Sequence, residues 1–145
     1  MNTAILHETD FYGWTQQQAD LIRSGQVSGL DMTNILKEIT GLGESKINEL
    51  ENQLTILFAH LLKWKFQLES HTKIWAATLK EQQHIVAKLI GKNPSLHPQI
   101  STIITTAYNS VLFMASHESS IAKYNFPKQC PWTLDEALGF VAKVD

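Results

Sequence analysis

The stretch 47–68, INELENQLTILFAHLLKWKFQL, decides the fold. Ile47, Leu50, Leu54, Leu57, Leu61, Trp64 and Leu68 recur at alternating steps of three and four, which lays one apolar seam along an α-helix. Neither Gly nor Pro interrupts it. At ~1.5 Å of rise per residue it makes a rod of ~33 Å, the width of a small domain. Phe58 and Leu62 widen the stripe, so the rod should touch more than one neighbour. These features predict an all-α, single-domain bundle of five or six helices around a central helix at about residues 44–68. A proline-rich arm and a short helix at about 124–145 close it.

The 145 residues are enough for one domain with a full core. Only 18% are charged, and the net charge is −2, which gives no reason to expect nonspecific nucleic-acid binding. The charge is uneven. Residues 1–51 hold eight acids and three bases, residues 52–92 two acids and six bases, and residues 93–145 four acids and three bases. Complementary packing of the first segment on the second is favoured over a basic docking face, since a surface charge contrast alone is weak evidence of a partner. A lone cysteine, Cys130, excludes an internal disulfide and fits a reducing compartment. MNTAILHETD lacks the basic start and apolar middle of a signal peptide, and no run of apolar residues is long enough to span a membrane. A cytoplasmic protein is expected.

On either side of the rod the helix signals are clear. Asp10 can cap a first helix bearing Phe11, Trp14, Gln18, Leu21 and Ile22 on one face, closed by Gly25. Asp31 can cap a second, with Ile35, Leu36, Ile39 and Leu42 as its stripe. Gly41 and Gly43 predict a kink or break before the rod, although one continuous helix from Asp31 is compatible with the sequence. Beyond the rod, Ser70 or Thr72 can cap a helix with Trp75, Leu79, Ile85, Val86 and Leu89 inward. Ser95 can cap the next, with Pro98 in its first turn and Ile100, Ile104, Ala107, Val111 and Met114 as its seam. FPKQCPWT, 126–133, has no helical period and should be an arm held by Phe126 and Trp132. Thr133 and Glu136 match a capping box for a last helix with Leu134, Leu138 and Val141 inward.

DFYGW at 10–14, LD at 30–31, EI at 38–39, Glu49-Leu50-Glu51, HLLKW at 60–64, Trp75, PSL at 94–96, Tyr108 and FPKQCPWT occur in that order. Together they resemble the bacterial "domain of unknown function 29" family over nearly the whole chain. The resemblance implies a compact all-helical cytoplasmic protein and no particular activity. Three positions depart from the family tendency: Lys37 stands where an acid is usual, Gln83 where Arg is, and Leu68 where Pro is. An Arg at 83 could pair with a carboxylate on a neighbouring helix, and Gln cannot supply that charge.

Among polar groups, Glu38, Glu51 and His60 are the candidate catalytic set, with Glu49 nearby in sequence. His60 facing Glu38 across a helix pair would suit a metal or a general base. The competing reading is a partly buried His60 hydrogen-bonded to Glu38 or to a backbone carbonyl. Glu49 and His60, three turns apart on a straight helix, cannot share one metal. Glu81 and His84 spell E-x-x-H, but a dimetal bundle needs two such motifs and two further Glu. Lys63, Lys65 and Lys73 interleave with Trp64, Phe66 and Trp75, a pattern that can bind single-stranded nucleic acid. Core packing of the rings with the lysines snorkelling outward competes with that reading and is favoured. Cys130 has no adjacent base and reads as an idle thiol. No cofactor or metal set is apparent.

From Asn93 to His117 there is no Asp, Glu, Lys or Arg. Thr102, Thr105, Thr106 and Asn109 are therefore the candidate partner-binding residues. A helix face of small neutral groups can be covered without burying a charge. The leading expectation is a non-catalytic interaction or regulatory module that binds another protein or itself. A hydrolytic or metal site at Glu38, Glu51 and His60 is the alternative, and nucleic-acid binding the second alternative.

Overall fold

The computed structural model describes residues 3–66, 71–117 and 126–144. Among them the helices are α1 (Thr3–Thr9), α2 (Phe11–Arg23), α3 (Met32–Phe66), α4 (Lys73–Lys92), α5 (Ile100–His117) and α6 (Leu134–Gly139), with no strand. Short 3-10 turns lie at Val27–Gly29 and Pro94–Gln99. The chain is therefore all-α. It forms two compact units, residues 1–45 and 46–145.

The rod is longer than the seam alone suggests. α3 runs unbroken for 35 residues through Gly41 and Gly43. Each glycine weakens a helix by ~1 kcal/mol relative to Ala, too little to break one flanked by Leu36, Lys37, Leu42 and Lys46. Leu68, at the expected end of the seam, and Ser70, an expected cap, lie outside the described residues.

In the 46–145 unit the seam is the core. Leu50, Leu54, Leu57, Phe58, Leu61, Leu62 and Trp64 are buried. They cluster with Leu79, Val86 and Ile90 of α4, with Ile100, Ile103, Ala107, Tyr108 and Val111 of α5, and with Ala137 of α6. Each buried Leu, Ile, Val or Phe contributes ~1.5–3 kcal/mol by leaving water. Thr72 caps α4 by accepting from the Trp75 amide, 3.2 Å away. Gln82, also buried, donates to the Gln53 carbonyl at 2.9 Å and ties α4 to α3.

α5 keeps most of the expected seam: Ile100, Ala107 and Val111 are buried and Ile104 packs half-buried against the same core, while Ile103 is buried as well and Met114 is exposed. Its helix begins only at Ile100, because Pro94 to Gln99 forms a 3-10 turn ahead of it. The arm is held as its aromatic residues predict. Trp132 stacks on Phe58 with ring centroids 6.1 Å apart, and Phe126 meets Phe66 at 5.1 Å. The Thr133–Glu136 capping box forms in both directions, each bond 3.1 Å. Val141 departs from expectation: α6 stops at Gly139, so Val141 falls outside the helix and is exposed.

The 1–45 unit is built differently. Asp10 caps α2 by accepting from the Gly13 amide at 3.0 Å. α2 ends in a Schellman turn, with Gln26 N donating to Leu21 O at 2.9 Å and Gly25 N to Ile22 O at 3.1 Å. Gly25 takes φ 75° there, which a side chain would resist. Trp14 is the one apolar residue buried in this unit among those described. Polar bonds do much of the joining instead.

Candidate functional site

Asp31 is the node of those bonds. It precedes α3, and its Oδ2 accepts from Trp14 Nε1 at 3.1 Å and from Asn34 Nδ2 at 2.8 Å. Its own amide donates to Gln18 Oε1 at 2.8 Å. The Asn34 side-chain bond, with the Trp14 indole and the nearby His7, holds its carboxyl below the ordinary value of 3.8 against the opposing effect of burial. Two turns further along α3, Glu38 Oε1 meets His7 Nε2 at 2.7 Å. A carboxylate only accepts, so Nε2 carries the hydrogen. The His7 ring sits edge-on to Trp14, with centroids 4.6 Å apart, and to Phe11 at 5.4 Å.

Glu38 is thus engaged by His7 of α1 and not by His60. The sequence reading set Glu38 and His60 on two helices, and both are residues of α3. His60 turns its Nδ1 to the Ile56 carbonyl at 2.8 Å and lays its ring 4.8 Å from that of Trp75. Glu51, nine residues before His60, lies half a turn out of phase on the same helix, so the two point to opposite faces. Among the described residues no group of three or more His, Cys, Asp or Glu is placed to hold a metal ion.

The basic and aromatic stretch packs. Trp64 is 5% exposed, and His71 stacks on it with centroids 4.2 Å apart. Lys63 Nζ lies 5.6 Å from the centre of the Trp75 ring, and Lys65 Nζ lies 6.0 Å from that of Trp132. Lys73, exposed, opens α4. The faces on which bases would stack are partly taken by protein.

Cys130 is half-buried and donates to the Trp132 carbonyl at 3.3 Å. Burial pushes its thiol up, away from the thiolate a nucleophile needs. A cleft of about 440 Å³ between α4 and α6 is lined by Ala76, Leu79, Lys80, Gln83, Leu138 and Phe140, among others. Gln83 Nε2 there donates to Ala137 O at 2.9 Å and Phe140 O at 2.8 Å. Its amide thereby ties α4 to the end of α6.

The proposed partner face on α5 is solvent-exposed at Thr102, Thr105, Thr106 and Asn109. Thr105 and Thr106 turn their hydroxyls back to the carbonyls of Ser101 and Thr102, at 3.0 and 3.1 Å.

A second open face lies on the N-terminal part of α3. Met32, Leu36, Ile39 and Leu42 of α3 are 61–68% exposed. The residues of this segment that face α1 and α2 are instead Asp31, Asn34, Ile35 and Glu38, all half-buried. The apolar stripe read from the sequence is real, but much of it is uncovered.

An all-helical chain with these caps, this central rod and this clamped arm is matched over residues 6–140 by the family model "Domain of unknown function DUF29". The chain belongs to that family, which assigns it no activity. No curated protein and no solved structure matches it. Among the described residues no helix is long and apolar enough to cross a membrane.

Proposed function

We propose that this chain is a non-catalytic protein-interaction module, working in the bacterial cytoplasm that the family resemblance implies, whose main docking surface is the open row on α3. The observation that carries this reading is the exposure of Met32, Leu36, Ile39 and Leu42 along nearly three turns of one helix. Together they leave on the order of 400 Å² of apolar surface in water, the size at which a patch on a monomer is often functional. Side chains of this kind are usually turned inward, and here the helix already uses another face for its own unit. The α5 face at Thr102, Thr105, Thr106 and Asn109 is a second docking surface, favoured by its internally bonded hydroxyls.

A photo-crosslinking residue at position 36 tests the reading in cells that make the protein. The expected result is a covalent adduct with one defined polypeptide, suppressed when Ile39 is changed to Lys. Label found only on solvent or on many unrelated chains would end it.

A further inference from the structure

The proposed docking row has a register of its own. Met32, Leu36, Ile39 and Gly43 follow one another at steps of four, three and four, so they form one line along α3. An added Cβ at Gly43 would meet nothing within 4 Å, so the end of that line is an open notch. A line of this kind, laid against its own copy in antiparallel sense about a two-fold axis, pairs position 32 with 43 and position 36 with 39. Each long Met32 side chain then lies across from the notch at the other copy's Gly43, and each Leu36 across from Ile39. Large meets small at the ends, and apolar meets apolar in the middle.

Charge permits this pairing. Residues 1–45 carry six acids and two bases, a balance of −4. The four charged residues of the stretch, Asp31, Lys37, Glu38 and Glu44, all lie more than ~100° around the helix from the line. The line itself is neutral, flanked by Thr33, Ile35, Thr40 and Leu42. Two copies together would cover roughly 800 Å², the small size of a weak, transient interface. We infer that the occupant of the row is a second copy of this chain, paired antiparallel through Met32, Leu36, Ile39 and Gly43 in a weak two-fold dimer. This rests on the reading of the row as a docking surface and names its partner. Because the two acidic units approach one another, added salt should strengthen the dimer by screening.

Sedimentation velocity of the full chain over a concentration series tests it, with Leu36→Glu and Ile39→Lys as variants. Both positions are more than 60% exposed, and unchanged far-UV circular dichroism confirms that the variants fold. The wild-type chain should move toward dimer with concentration, and further so in salt. Each variant alone should stay monomeric. A one-to-one mixture of the two should regain dimer, because Glu at 36 then faces Lys at 39. A wild-type dimer untouched by either variant but lost on Thr106→Arg would overturn the proposal and move the contact to α5. A monomeric wild type that binds a synthetic amphipathic helix with lysine flanks, more weakly in salt and not at all as Leu36→Glu, would overturn the second copy and leave the docking surface standing. A monomer that binds no such peptide would remove both.

Discussion

Tyr108 of α5 donates its phenolic hydrogen to the carbonyl of Pro127, nineteen residues on, at 2.7 Å. That bond anchors the proline-bearing arm to the core, beside the Phe58–Trp132 stack. Burial, helped by the nearby Cys130, pushes the Tyr108 hydroxyl up to about 12. A phenol whose folded value is raised stabilises the fold fully below its ordinary value of 10.0 and loses that contribution as pH rises through about 12. In Tyr108→Phe, one phenol should vanish from the late, alkaline end of an ultraviolet titration. The substitution should cost about 1 kcal/mol, since it leaves the Pro127 carbonyl without its donor. Loss of a phenol that titrates near 10 would contradict the arrangement.

Acid should act on the other unit. Because Asp31 is held below 3.8, its contribution is complete above that value and disappears as pH falls through its lower, folded value. Loosening of the 1–45 unit is therefore expected below pH ~3.8. The Trp14 indole N–H resonance reports it, and Asp31→Ala should bring the same change at neutral pH. An indole resonance indifferent to both would show that Asp31 does not hold Trp14.

Gln83 offers a test of the arm that does not touch the core. Its amide supplies donors to two carbonyls at the end of α6. Gln83→Ala should cost roughly 1–2 kcal/mol and raise amide hydrogen exchange at 134–140. Exchange unchanged there would place the stability of the arm elsewhere.

The glycines of α3 give a prediction of opposite sign. Gly41 is helical and exposed, and an added Cβ there meets nothing. Gly41→Ala should stabilise the chain by about 0.5–1 kcal/mol, read as a modest rise in Tm. A fall would mean that the helix does not run straight through this point.

What the sequence disclosed divides along physical lines. Asp10, Gly25, Thr72 and the Thr133–Glu136 box were legible because capping is local chemistry, written within three or four residues. The buried seam from Leu50 to Trp64 was legible because period 3.6 reports which residues share a face. Period does not report whether a face is covered, so Leu36, Ile39 and Leu42 looked like core and are open. α1 gave no signal, its seven residues being too few to show a period, and without α1 the partner of Glu38 could not be found. Glu38 was accordingly set against His60, when His7 was the histidine within reach. The burial of Ile103 beside the expected seam of α5 was hidden too. A run of Ile, Ala, Val and Met around much of a helix leaves its inward direction to the packing of Tyr108.

Oxidation of Met32 tests the central claim most directly. Brief exposure of the full chain to hydroxyl radicals, followed by peptide mass spectrometry, reads how open that side chain is at each protein concentration. At 62% exposure Met32 should oxidise fast in dilute protein and become protected as the chain is concentrated, while Met114, at 44%, keeps a constant rate. A Met32 that is slow in dilute protein, or equally fast at every concentration, would contradict an open row that a second copy covers.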